Sequence, residues 1–83
     1  MRARKSFYVV SYDVADNKRR RHVSDILEKV GVRVNYSVFE CMLTERQLDE
    51  LSEQIEKVIK QKVDTVIFYP LCPKIRNYHP IHD

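Results

Sequence analysis

The chain has 83 residues, room for one domain near the lower limit of a self-sufficient core, so a second subunit would help to complete it. Hydrophobic residues at 43% and charged residues at 33% are the balance of a folded domain rather than a disordered one, and a net charge of +3 with a pI near 9.0 admits an anionic partner without demanding one. No apolar run approaches the roughly 20 residues of a membrane span, and the start Met1-Arg-Ala-Arg-Lys5 leads into a strand with no apolar signal core, so the expectation is a cytoplasmic protein.

Ser6-Phe-Tyr-Val-Val-Ser-Tyr-Asp-Val14 is the first predicted strand, rich in β-branched and aromatic residues. Alternation puts Phe7, Val9, Ser11 and Asp13 on one face and Tyr8, Val10 and Tyr12 on the other. Both faces are largely apolar, which predicts a central strand covered by helices on one side and by a second copy of the chain on the other. Val14-Ala-Asp-Asn17 then turns into a helix with Asp16 or Asn17 as N-cap. Val23, Ile26, Leu27 and Val30 form its apolar stripe, and Gly31, the only glycine, is the expected C′ stop, giving a helix over about 16–30.

Val32 to Leu43 is strand-like, with a turn-tolerant interruption from Asn35 to Ser37, and reads as two short strands joined by a tight turn or bulge. Thr44-Glu-Arg-Gln47 is a capping box. Leu48, Leu51, Ile55, Val58 and Ile59 carry a second helical stripe to about Lys62. Asp64-Thr-Val-Ile-Phe-Tyr69 is the last β-rich run, ended by Pro70 and Pro73. Strand, helix, two strands, helix, strand is the α+β ferredoxin-like βαββαβ plan with an antiparallel sheet, assigned to residues 1–73. Its helices cover one sheet face only, which predicts a symmetric homodimer. Residues 74–83 are either a loose end or an arm adding an edge strand to the partner. Cys41 and Cys72, far apart and outside any CxxC pattern, read as buried free thiols.

Lys18, Arg19, Arg20 and Arg21 fall in the first turn of the first helix, where the helix dipole disfavours cations. Such a cluster points to an external anion, phosphate above all, as the alternative to a solvated charge run. Arg2, Arg4, Lys5 and Arg33 would extend the same basic surface. Asp13 is either a helix cap or surface group, or a metal ligand. Near a two-fold axis, two Asp13 carboxylates would need a shared proton or a cation, and Mg²⁺, with Mn²⁺ as its substitute, is the oxygen-seeking ion for the task. Tyr12, Tyr36 and Phe39 are either core or platforms for bases. Ser11 and Ser37 lack a histidine base and are supporting residues rather than nucleophiles. His79-Pro-Ile-His-Asp83 has metal-ligand residue types but lies in a terminal segment, a poor preorganised site.

Tyr-Val-Val-Ser-Tyr-Asp-Val14, the basic helix start, Gly-Val-Arg-Val-Asn-Tyr-Ser-Val-Phe-Glu-Cys41 and Val-Ile-Phe-Tyr-Pro-Leu-Cys72 together resemble the CRISPR-associated protein 2 family over residues 6–73. The resemblance implies a ferredoxin-like homodimer, a metal-dependent endonuclease acting on single-stranded RNA or double-stranded DNA, and a partnership with the CRISPR integrase in spacer acquisition. Under it Asp13 matches the metal-binding aspartate. Arg19 or Arg20, with Arg21, Arg33 and Phe39, match positions tied to nuclease activity, while Asn35 departs from the frequent Gln. The alternative from a different class is a non-catalytic basic dimer that binds a DNA backbone and bridges integrase dimers. A metal-carrier domain of the same fold would need a paired-thiol loop, which the chain lacks.

Overall fold

The computed structural model describes residues 4–71; Arg2, Cys72 and the expected arm over 74–83 with its histidines lie outside them. The elements are β1 (Ser6–Asp13), α1 (Asn17–Glu28), β2 (Gly31–Asn35), β3 (Val38–Leu43), α2 (Glu45–Glu56) and β4 (Thr65–Leu71), the ferredoxin-like order. They build one antiparallel sheet ordered β2-β3-β1-β4. As its two-sided apolar pattern predicts, β1 is central, hydrogen-bonded to β3 on one side and β4 on the other.

Strand alternation sorts the sheet into two faces. Val10 and Tyr12 of β1 with Phe39, Cys41 and Leu43 of β3 pack beneath Val23 and Leu27 of α1 and Leu51 and Ile55 of α2. The register sets Val10 opposite both Phe39 and Phe68, so the core is centred on β1. Each fully buried Val, Leu, Ile or Phe here contributes roughly 1.5–3 kcal/mol of transfer free energy. The other sheet face carries Phe7, Val9, Ser11 and Asp13 of β1, Val38, Glu40 and Met42 of β3, and Thr65, Ile67 and Tyr69 of β4. No helix covers it, and Met42, Ile67 and Tyr69 are exposed.

Both helix starts are the ones the sequence predicts. Asp16 caps α1 by accepting from the Arg19 amide, and Thr44 and Gln47 form the reciprocal capping box of α2. Both helices end earlier than their apolar stripes suggest. After Lys57 the chain tightens, the Val58 and Ile59 amides both donating to the Ile55 carbonyl, so Val58 and Ile59 still pack on the core from a turn rather than from a helix. Gly31 is not a C′ residue but the first residue of β2. A Cβ there would stand 2.5 Å from both Cys41 Sγ and Glu40 O. The glycine therefore permits the close approach of β2 to β3 at the Gly31–Cys41 pair.

Candidate active site

Asp13 ends β1 on the open face of the sheet, and its neighbours are set by local hydrogen bonding. The Tyr12 amide donates to Ser37 O at 3.1 Å, which pins the β2–β3 turn against the end of β1. Ser11, Tyr12, Asp13, Val14, Arg20, Tyr36 and Ser37 line a cleft of about 480 Å³. Asp13 is exposed, and its side chain has no hydrogen-bond or ion-pair partner among the described residues. An adjoining cleft of about 340 Å³ is lined by Asn17, Arg20, Arg21, Ser24 and Arg33 and shares Tyr12, Arg20 and Tyr36 with the first. A carboxylate-bearing hollow thus opens onto an arginine-lined one, with Arg20 on the boundary.

The four cations of the α1 start fall into two groups. Arg19 donates through Nε and a terminal nitrogen to both oxygens of Asp64, at 2.8 and 3.1 Å. Arg20 donates to Val14 O at 2.9 Å and to Asn17 Oδ1. Lys18 and Arg21 make no side-chain hydrogen bond or ion pair among the described residues. The adverse dipole at this helix end is therefore answered in part from within: Asp64 neutralises Arg19, and only part of the cluster is left for an outside anion.

Arg33 reaches from β2 over the buried Phe39 ring, 4.8 Å from its centroid. It donates to Tyr36 O at 2.7 Å, to Ser24 Oγ, and to Glu28 at 3.3 Å. The Tyr12 phenol and the Glu28 carboxylate beside it hold this guanidinium above its ordinary value. Tyr12 and Phe39 stack with centroids 6.2 Å apart, and both are core residues, so they support the clefts from below rather than offering faces to bases. Of the three aromatics Tyr12, Tyr36 and Phe39, Tyr36, 75% exposed, is the one that faces solvent. Arg4 and Lys5 stand at the opposite end of β1 from Asp13, about 25–30 Å away at strand rise, so they do not extend the α1 basic surface.

Asp64 is the residue that reading the sequence as a strand start misses. Its side chain is 0% exposed. Besides Arg19 it accepts from the Ala15 amide and the Lys60 amide, each at 2.9 Å. The Arg19 guanidinium, then the Lys60 and Ala15 amides, hold its carboxyl well below the usual carboxylate range. A polar residue between Val63 and the β4 run was its only local sign in the sequence.

Fold and clefts together define a ferredoxin-like α+β protein whose central strand delivers one unpaired acid beside a cluster of arginines. The family model described as CRISPR associated protein Cas2 matches residues 6–77, and the chain belongs to that family. Among curated relatives it is 44% identical over 64 residues to "CRISPR-associated endoribonuclease Cas2 3" of Synechocystis sp., covering 77% of this chain and 70% of that protein. It is 35% identical over 71 residues to "CRISPR-associated endonuclease Cas2 2" of Thermus thermophilus, covering 86% and 79%. Among solved structures it is similar to Streptococcus pyogenes Cas2, crystallised at pH 6.5, with a TM-score of 0.78, 31% identity and coverage of 87% of this chain and 93% of that one. It is also similar to a chain of a partial Cas6-RT-Cas1–Cas2 complex, with a TM-score of 0.75, 33% identity and coverage of 94% and 92%. Among the described residues no helix is long and apolar enough to cross a membrane.

Proposed function

We propose that the chain acts in CRISPR adaptation as a homodimeric, metal-dependent endonuclease on nucleic-acid backbones and as a partner of the CRISPR integrase. The observation that carries this reading is the unpaired Asp13 carboxylate, held at the mouth of an arginine-lined cleft. The relatives' printed names, endoribonuclease and endonuclease, support the reaction class, and the neighbour solved within a Cas1–Cas2 assembly supports the partnership.

A hard cation such as Mg²⁺ or Mn²⁺ takes oxygen ligands and is content with one or two carboxylates and water. Asp13, with the Ser11 and Ser37 oxygens lining the same cleft, fits half of such a site. Among the described residues no three His, Cys, Asp or Glu side chains gather as a metal cluster, so the second carboxylate would be Asp13 of a second copy. Asp13 shares its sheet face with Phe7, Val9, Val38, Met42, Ile67 and Tyr69 around a single Glu40, and a copy burying that largely apolar face would approach Asp13. When bound, the ion supplies charge neutralisation and water activation at the scissile phosphate. Arg20 and Arg21 offer guanidinium donors to the phosphate oxygens, and Arg20, with five N–H groups and two of them used, keeps donors to spare. Arg33 closes the far wall, Lys18 adds long-range attraction, and Tyr36 gives an unpaired base a face to stack on.

The test is cleavage of labelled single-stranded RNA and double-stranded DNA, in Mg²⁺, Mn²⁺ or EDTA, by the wild type and by Asp13→Ala purified identically. Metal-dependent cleavage lost in Asp13→Ala with binding retained is the expected result; cleavage equal in the two proteins would sink the assignment. A second reading, a non-catalytic dimer that binds a duplex backbone and bridges integrase dimers, is favoured by one observation: among the residues lining the two clefts Asp13 is the single carboxylate, set among Arg20, Arg21 and Arg33. Absence of cleavage with salt-dependent duplex binding intact would select it.

A further inference from the structure

We infer that Asp64 is the positioning residue of the Asp13 site, holding the turn from Asp13 to Asp16 in the place where the carboxylate can take a metal ion; this rests on the metal-site reading proposed above. Three segments meet on this one buried carboxylate. Oδ1 accepts from the Ala15 amide, two residues beyond Asp13, and from a terminal nitrogen of Arg19. Oδ2 accepts from Arg19 Nε and the Lys60 amide. The turn after β1, the first turn of α1 and the turn before β4 are therefore locked to a common point. Val14 is buried and its carbonyl is held by Arg20, while on the other side Tyr12 is buried and its amide donates to Ser37 O, so the chain on both sides of Asp13 has little freedom.

A buried ion pair is a weak device for stability, because desolvation consumes most of the attraction and a well-packed apolar replacement does as well. What it supplies is a fixed geometry. The Asp13 side chain has no partner among the described residues, so its direction is inherited from its backbone. The ladder sets Asp13 opposite Thr65, and Asp64, the residue before Thr65, fixes the chain just beyond Asp13 through Ala15. The same clamp withdraws Arg19 from solvent, leaving its side chain 20% exposed, and keeps its charge from competing with a cation at Asp13.

These two effects, geometry and field, are separable. Mn²⁺ alone is titrated into the ¹⁵N-labelled full chain, well below each variant's melting midpoint, and paramagnetic broadening of the Asp13 and Val14 amides is read as a site affinity. Wild type should show it and Asp13→Asn should not. Asp64→Ala should weaken the site by about tenfold or more, as loss of an orienting partner does. Asp64→Asn, which keeps an acceptor for Ala15, should recover part of that loss. The decisive protein is the double variant Arg19→Gln with Asp64→Asn, which removes both charges of the pair and leaves net charge unchanged. Affinity still reduced in it supports positioning, whereas restoration to the wild-type value would reduce Asp64 to a neutraliser of Arg19 and overturn the proposal. Should Asp64→Ala fail to fold, Arg19→Lys, which keeps the charge but breaks the two-pronged contact, is expected to weaken the site in the same direction. Wild-type affinity in both Asp64→Asn and Arg19→Lys also overturns the proposal while leaving the metal site standing. No broadening at Asp13 in the wild type overturns the metal-site reading and this inference with it.

Discussion

Asp64 ties its own ionisation to the fold, and the sign of the effect can be worked out. Arg19 and two amides hold its folded-state carboxyl below the ordinary range, so the unfolded chain takes up the proton first as pH falls. Its stabilising contribution is therefore complete above the unfolded carboxylate value of about 3.9 and is withdrawn as pH drops toward the folded value. Urea midpoints of wild type and Asp64→Asn should differ clearly at pH 7, and the gap should shrink steadily below about pH 4 while staying open at pH 3, where the folded carboxyl still carries its charge; a gap of constant size would contradict this. Gly31→Ala drives a methyl into Cys41 Sγ and Glu40 O and should cost about 1–3 kcal/mol by urea denaturation. Phe39→Leu shortens a fully buried ring beneath Arg33 and should cost about 1–2 kcal/mol, with nucleic-acid affinity of the folded protein unchanged if Phe39 supports the cleft rather than stacking on bases. The roles of Asp64 and Gly31 were not legible in the sequence for the same reason. Arg19 stands 45 positions from Asp64, and Cys41 meets Gly31 only through strand pairing, so neither partner has a local signature.

At the scale of elements, what could be read was what is local. Asp16 and the Thr44–Gln47 box cap helices within three or four residues of themselves, and alternation along β1 separated the buried face from the open one correctly. Thr44→Ala should cost about 1 kcal/mol, measured by thermal or urea denaturation, because it orphans the Gln47 amide. Helix ends were less legible, since the apolar stripe runs on through Val58 and Ile59 after α2 has ended. An apolar side chain packs equally well from a turn, and the Lys60–Asp64 turn that replaces the last helical residues is closed by the Asp64 carboxylate itself. The β2–β3 pair was read as two strands about a turn at 35–37, and its irregularity between Arg33 and Asn35 is the bulge that sequence left open. That bulge lies beside the residue whose guanidinium reaches back across Phe39, so the hairpin and the arginine-lined cleft are built together. Of the four cations at the α1 start, the sequence could count the charges but not see that Asp64 engages one of them.

At the scale of the whole molecule, a metal site built from Asp13 carboxylates requires two chains. The open sheet face carries Met42, Ile67 and Tyr69 exposed with Asp13 at its margin. Ile67→Asp should therefore shift the protein toward monomer in sedimentation velocity and lower cleavage with it, while leaving the helix-covered core intact. Binding should be electrostatic in origin, weakening steeply with salt, and Arg21→Gln should reduce the slope of log affinity against log salt by about one. The measurement that reaches furthest is subunit mixing. Wild type and Asp13→Asn are combined in equal amounts, their subunits exchanged, and Mg²⁺-dependent cleavage compared with that of wild type alone at the same total protein. A site shared across the two-fold axis needs both carboxylates, so only wild-type pairs cut and the rate should fall to roughly a quarter by random pairing. A fall to one half would mean that each chain carries a complete site, and a rate unchanged by the mutant, or no metal-dependent cleavage by the wild type, would contradict the assignment of Asp13 altogether.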